Sequence, residues 1–207
     1  FQLFCNMGVR YFLFRVQYEV RRKGGVLKKL YPTSWGDKEY LSLTDWKKCA
    51  MPFFFLNRKS VELTDVDSSA LSVKMFRMKR NEYCFFSSTW YELGKDYDWV
   101  TNSDTNYKYD VKAHWTEVED IVPEAGDIKY VWEMSRFSFL YDIIRYDQKT
   151  GESHASFVFS QIEDWIHKNP LNCGPNYKCS QEISLRVLNW VFALYYYKDS
   201  AELTEDI

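Results

Sequence analysis

The stretch GPNYKCSQEISLRVLNWVFALYYYKDS, residues 174–200, opens on a Gly-Pro turn and continues as a helix from about Cys179 to Lys198. Ile183, Val187, Val191 and Leu194 recur at three-to-four spacing and predict the face that packs on the body. Beside them Glu182, Arg186 and Asn189 keep the same period and make a polar line. On a solvated helix such a Glu-Arg pair contributes only ~0.3–0.5 kcal/mol. The flanking run RVLNWVFALYYY, however, is apolar almost all round, the pattern of a helix held between layers. A buried guanidinium and carboxylate are costly unless paired and put to use. The line is therefore expected to face a cleft, and Arg186→Ala to weaken anion binding more than it lowers the melting temperature.

Two further helices precede this one. DIKYVWEMSRFSFLYDIIRYDQ, residues 127–148, carries apolar residues at helical spacing and ends on a glycine in KTGES. Residues 153–167 place Ala155, Val158, Ile162, Trp165 and Ile166 on one face, and the KNP that follows stops the helix because Pro170 disfavours a helical residue before it. The first of these helices presents Glu133 and Arg136 three residues apart. Two neighbouring helices each offering a Glu and an Arg beside an apolar stripe would form a groove with fixed guanidinium groups, suited to carboxylate or sulfate. Asn176 and Tyr177, just ahead of the third helix, are placed to reach the same groove.

Upstream the texture differs. Residues 1–30 hold seven basic residues against the single acid Glu19, a charge of +6, which leaves −8 for the rest of a chain whose total is −2. Leu3, Met7, Tyr11, Phe14 and Tyr18 follow a helical period up to Gly24 and Gly25, so this segment reads as a basic amphipathic helix. Either it packs on the body with its cations solvated or it lies on an anionic membrane surface. Residues 31–126 form an irregular lead-in region, with one helix at Lys38–Ala50, the apolar knot PFFFL, a short strand pair in EYCFFSSTWYELG and a long surface loop in KDYDWVTNSDTNYKYD.

The totals exclude several classes of function. With 46% apolar and 27% charged residues the composition is globular, and the net charge gives no global case for nucleic acid. No run reaches the ~18 apolar residues of a membrane span. There is no glycine-rich phosphate loop, no nucleophile elbow and no metal-ligand spacing, so neither metal nor cofactor is expected. His114, His154 and His167 lie in separate segments and read as surface or capping residues. Five scattered cysteines form no disulfide framework, although Cys173 and Cys179 flank a turn and could pair in an oxidising compartment. Isolated thiols lean toward the cytoplasm; peripheral-membrane and periplasmic locations stay open. Aromatic residues make up 19% of the chain, which fits a heavily packed helical core or a cleft where flat rings stack on sugars.

The helical half resembles the N-terminal domain of the heparinase II/III-like polysaccharide lyases. The matching positions are Trp132, Glu133 and Arg136 on one helix; Trp165, Ile166, Asn169 and Pro170; then Asn176, Tyr177, Glu182, Arg186 and Trp190. The upstream YELGKDYDW is similar to the family segment that ends in Asp-Trp, here Asp98 and Trp99. The resemblance implies a mainly α fold, the N-terminal part of an incomplete (α/α) toroid built of helical hairpins over residues 127–207. It also implies an acidic polysaccharide as partner, with Glu133, Arg136, Asn176, Tyr177, Glu182 and Arg186 as substrate-binding residues. The implied reaction is β-elimination on a uronic-acid polysaccharide. The Asn, His and Tyr that the family uses for it have no counterpart in this sequence, so no catalytic residue is assigned and a C-terminal remainder is expected to carry them. The alternative is a non-catalytic carbohydrate-binding or assembly module on the same scaffold.

Overall fold

The computed structural model describes residues 2–34, 36, 40–48, 53–55, 58–61 and 67–205. It is mainly helical. In chain order the elements are α1 (Gln2–Lys23), α2 (Val26–Leu30), α3 (Leu43–Lys48), α4 (Ser68–Met78), β1 (Glu82–Phe85), β2 (Thr89–Glu92), α5 (Lys129–Ser135), α6 (Leu140–Thr150), α7 (Ala155–Lys168) and α8 (Ser180–Tyr196). Of the helix predicted over Lys38–Ala50, the described part is α3; Lys38, Glu39, Cys49 and Ala50 lie outside the described residues.

The predicted strand pair is present as an antiparallel hairpin, Glu82 opposite Glu92 and Phe85 opposite Thr89. Tyr83 and Phe85 alternate inward as a two-residue period requires. Its turn holds Phe86 and Ser87 at φ 52° and 58°, a left-handed backbone that glycine or asparagine ordinarily supplies. Two contacts offset the strain: the Phe86 amide donates to Glu133 Oε1 at 3.0 Å, and the Phe86 ring meets Tyr130 edge-on at 5.1 Å.

The helix predicted from Asp127 to Gln148 is two helices. Phe137 adopts φ 62° and turns its ring wholly inside, stacked on Trp99 at 5.1 Å and edge-on to Trp190 at 5.3 Å. Burying that ring outweighs continuing the helix, since a left-handed non-glycine residue costs about 1–2 kcal/mol and a fully buried Phe returns more. Gly151, at φ 78°, then ends α6 as expected, and α7 stops at Lys168 ahead of Pro170.

Met75, Phe85, Trp99, Met134, Phe137, Ile143, Phe159, Trp165 and Tyr197 belong to one core that joins α4, the hairpin and α5–α8. A second, smaller core of Val100, Tyr109, Val118, Ala125 and Val131 sits under residues 100–131. The predicted surface loop is thus an ordered unit: Asn102 is buried and donates to Ala125 O at 2.7 Å and Asp127 O at 2.9 Å, while its Oδ1 accepts from Asp104 N. His114, read from the sequence as a surface or capping residue, is buried as well, bridging Tyr31 O at 2.9 Å and Thr116 Oγ1 at 2.7 Å. Cys84, Cys173 and Cys179 are free thiols.

Candidate functional site

On α8 the expected faces are exchanged. Val187 is 48% exposed and Ile183, Val191 and Leu194 are only half-buried, whereas Glu182, Arg186 and Asn189 are buried together with Ala193 and Tyr196. Likewise Ile166, predicted inward on α7, is half exposed. The physical reason lies in the break after α5. A helix leaves its last carbonyls without internal partners, and the Phe137 turn strands those of Ser135 and Arg136 inside the protein. Arg186 Nε donates to Ser135 O at 2.8 Å, and Asn189 Nδ2 donates to Arg136 O at 2.6 Å. The polar line of α8 is a cap supplied to α5 by another helix, with a cation at the negative end of the α5 dipole.

The remaining motif residues extend this network. Arg186 is 2% exposed; its Nη2 donates to Asn176 O at 3.0 Å and its guanidinium lies 4.0 Å above the Trp165 ring. Asn176 donates to Trp99 O and to Asn169 Oδ1, and Asn169 in turn donates to Trp165 O at the end of α7. Trp132 Nε1 donates to Pro175 O at 2.9 Å. Tyr177 stands at the edge of the Trp165 and Arg186 pair. Burial pushes the Arg186 pKa down to about 10 and the Tyr177 hydroxyl up. Among the described residues Asn176 Oδ1 and Trp190 Nε1 are buried with no hydrogen-bond partner.

Arg136 bridges this interior to the surface. Its Nε and Nη2 form a two-pronged pair with Glu182 at 2.6 and 2.8 Å, and its Nη1 meets Glu133 Oε2 at 2.5 Å. The hydrogen bonds it donates to Glu182 hold the guanidinium pKa above its ordinary value. All six predicted residues therefore converge, but Asn176, Glu182 and Arg186 lie inside the protein as ties between element ends. They do not line an open groove, because their polar atoms are directed at backbone carbonyls and at Arg136.

Glu133 is the member that reaches a cavity. This space, of about 500 Å³, lies between α4, the hairpin, α5 and α6, and is lined among others by Lys74, Tyr83, Trp90, Glu133, Phe139, Tyr141, Asp142 and Arg145. Asp142 accepts from Lys74 at 2.9 Å and stands 4.0 Å from Arg145. The Arg77 guanidinium lies over the Trp90 ring at 4.6 Å. Flat rings beside two carboxylates and two cations form a mixed surface with hydrogen-bonding groups of both signs. Glu133 is already held by Arg136 and Phe86 N, and burial raises the pKa of Tyr83 and Tyr141. Among the described residues the lining contains no histidine, and no cluster of three His, Cys, Asp or Glu side chains is arranged to hold a metal ion.

The sequence did not single out Lys74, Trp90, Asp142 or Arg145. They come from three elements, Lys74 from α4, Trp90 from β2 and the Asp142–Arg145 pair from α6, and only the packing of α4 and the hairpin beside α6 brings them together. Another missed cluster has a faint local signal: buried Asp147 accepts from His154 Nδ1 at 2.5 Å, from His154 N and from Tyr197 Oη at 2.6 Å. It ties the end of α6 to the start of α7 and to the end of α8. Comparison of the chain with protein-family models, with curated proteins and with solved structures finds no match in any of the three.

Proposed function

We propose that the chain forms the N-terminal, substrate-cleft portion of a heparinase II/III-like polysaccharide lyase, on an incomplete (α/α) toroid, and that the cavity beside Glu133 receives an acidic sugar. The observation that carries this reading is that motif residues quoted from four separate segments of sequence, around Trp99, Trp132–Arg136, Trp165–Asn169 and Asn176–Trp190, join one hydrogen-bonded and stacked network. Residues matched by chance spacing have no reason to meet. In this reading the network fixes the helices, Arg136 and Glu133 form its outer edge, and the uronate carboxylate competes with Asp142 for Lys74 and Arg145.

The chemistry is an elimination. A base takes the proton at C5 of the uronate, the C4–O bond breaks as a C4=C5 double bond forms, and the leaving oxygen takes up a proton. Neutralising the carboxylate acidifies the C5 proton, and cations such as Lys74 and Arg145 have that capacity. The proton-transfer groups are not assigned to this chain. The test is to incubate the full natural protein carrying this sequence with a panel of uronic-acid polysaccharides and follow the ultraviolet absorbance of the unsaturated product. Reducing ends released without that absorbance would overturn the lyase reading in favour of hydrolysis.

A second reading, a non-catalytic carbohydrate-binding or assembly module, is favoured by one observation: the carboxylates lining the cavity are both engaged in ion pairs, so neither is a ready base. Binding of uronate oligosaccharides by the full protein with no bond cleavage is the result that selects it.

A further inference from the structure

Helix α1 is turned inside out. After the break at Gly8 (φ 77°, ψ 167°), residues 9–23 run as one helix. At about 100° per residue, Val9, Phe12, Leu13, Val16 and Val20 occupy a continuous arc of about 100°. These residues are solvent-exposed, Leu13 at 59% and Val20 at 67%. The face turned to the body is polar instead. Arg22 donates to Thr116 O at 3.0 Å and to Glu19 at 2.8 Å, Tyr18 and Arg22 line a recess with Trp115 and Trp132, and the following α2 is tied by Lys28 to Glu117 at 2.6 Å. The face predicted to be apolar, through Tyr11, Phe14 and Tyr18, is therefore not the apolar stripe; Leu3 and Met7 lie outside the side chains described.

The rim of the stripe selects its partner. Arg10, Gln17 and Arg21 form the flank on one side and Lys23 stands at the C-terminal end of the stripe itself, while on the other flank the one acid of the helix, Glu19, is engaged by Arg22 and Arg15. A second copy of the helix laid on the stripe would bring like-charged rims together, and an acidic polysaccharide has no use for five apolar side chains. An anionic bilayer surface satisfies both features, since acyl chains accept the stripe and headgroups accept the rim. Among the described residues no helix is long and apolar enough to cross a membrane, so the contact would be one of lying on the surface.

We propose that α1 docks the protein on an anionic lipid surface through the Val9–Leu13–Val16–Val20 stripe with Arg10, Arg21 and Lys23 as its headgroup contacts. The proposal is independent of what the cavity binds. Co-sedimentation of the full protein with vesicles of phosphatidylcholine alone and of phosphatidylcholine mixed with phosphatidylglycerol tests it. Binding to the mixed vesicles is expected, weakening as salt is raised. Leu13→Asp and Val20→Asp are each expected to abolish it with far-ultraviolet circular dichroism unchanged, and Arg10→Ser and Arg21→Ser each to lower the partition about fivefold. Equal binding to both vesicle types, no binding to either, or binding unaffected by Leu13→Asp overturns the proposal. So does a dimer, seen by sedimentation without vesicles, that Leu13→Asp dissolves, for the stripe would then be a contact between copies.

Discussion

Helices α1 and α8 depart from the ordinary amphipathic pattern in opposite ways. In α8 an arginine, a glutamate and an asparagine are buried while Val187 and Leu188 face solvent; in α1 a valine and leucine stripe faces solvent while Arg22 and Glu19 face the body. The difference is in what each polar group meets. Arg186 and Asn189 of α8 meet stranded carbonyls at the end of α5, so burial satisfies both partners. The α1 side chains meet the rim of the small core, where one carbonyl and a neighbouring acid suffice, and Val9, Leu13, Val16 and Val20 are left exposed to solvent. Polarity marks a residue that needs a partner; which side faces inward depends on where the partner is.

The comparison breaks most easily at Arg186. Arg186→Ala leaves Ser135 O and Asn176 O without donors in a dry interior and is expected to cost about 3–5 kcal/mol, read as a fall in melting temperature or denaturant midpoint. Arg186→Lys should recover little, because one ammonium cannot serve both carbonyls and stack on Trp165. This reverses the expectation drawn from the sequence. A Arg186→Ala protein that melts like the wild type but loses anionic oligosaccharide would restore the cleft-facing reading. Glu182→Gln keeps the shape and removes one charge from the Arg136 bridge, for an expected loss of about 2 kcal/mol, since Glu133 still holds the guanidinium.

Alkaline pH probes the same interior. Burial raises Tyr83 and Tyr97 above their ordinary value of 10, and burial with the hydrogen bond to Asp147 raises Tyr197. The unfolded chain then releases these protons first, so their contribution to stability is complete below pH 10 and is lost as pH rises beyond it. Arg186 has the opposite sign. Its folded value, depressed to about 10 from 12.5, means the folded state releases its proton first, and that contribution grows with pH over the same range. Three tyrosines outweigh one arginine, and a net loss of about 2 kcal/mol between about pH 9.5 and 11 is expected in denaturant melts. Stability that rises over this range would mean that the buried hydroxyls ionise freely.

A smaller effect should separate the cavity from the network behind it. Arg145 is partly exposed and only 4.0 Å from Asp142, a pair that adds little to folding. Arg145→Ala should therefore leave the melting temperature nearly unchanged while weakening uronate oligosaccharide binding about tenfold, measured by calorimetry on the full protein. Unchanged affinity would move the proposed sugar site away from this cavity.

Helix positions, the Gly151 and Pro170 stops and the hairpin were legible because each rests on residues close in sequence. The break at Phe137 was not, because its cause is a ring slot formed by Trp99 and Trp190, 38 and 53 positions away along the chain. Once that break was missed, the α8 line had no visible partner and read as a cleft wall. Spacing quoted Glu133, Arg136, Asn176, Glu182 and Arg186 together, and these residues do meet in space. It could not give their orientation. Lys74 and Arg145 were beyond reach, since separate helices put them at one cavity.

The smallest expected effect bears on α1. Val20 is 67% exposed, so Val20→Ser removes no packing and should change folding stability by less than about 0.5 kcal/mol in a denaturant melt. Its α8 counterpart, Asn189→Val, has similar size and reversed polarity, yet strips Arg136 O of a donor and Tyr141 Oη of an acceptor and should cost about 1–3 kcal/mol. If the Val20 change destabilised the protein as strongly as the Asn189 change, the stripe would be packed against the body in solution and no longer free to meet a bilayer. A null effect at Val20 beside a large one at Asn189 leaves the stripe dispensable for folding, so that whatever retains it acts from outside the fold.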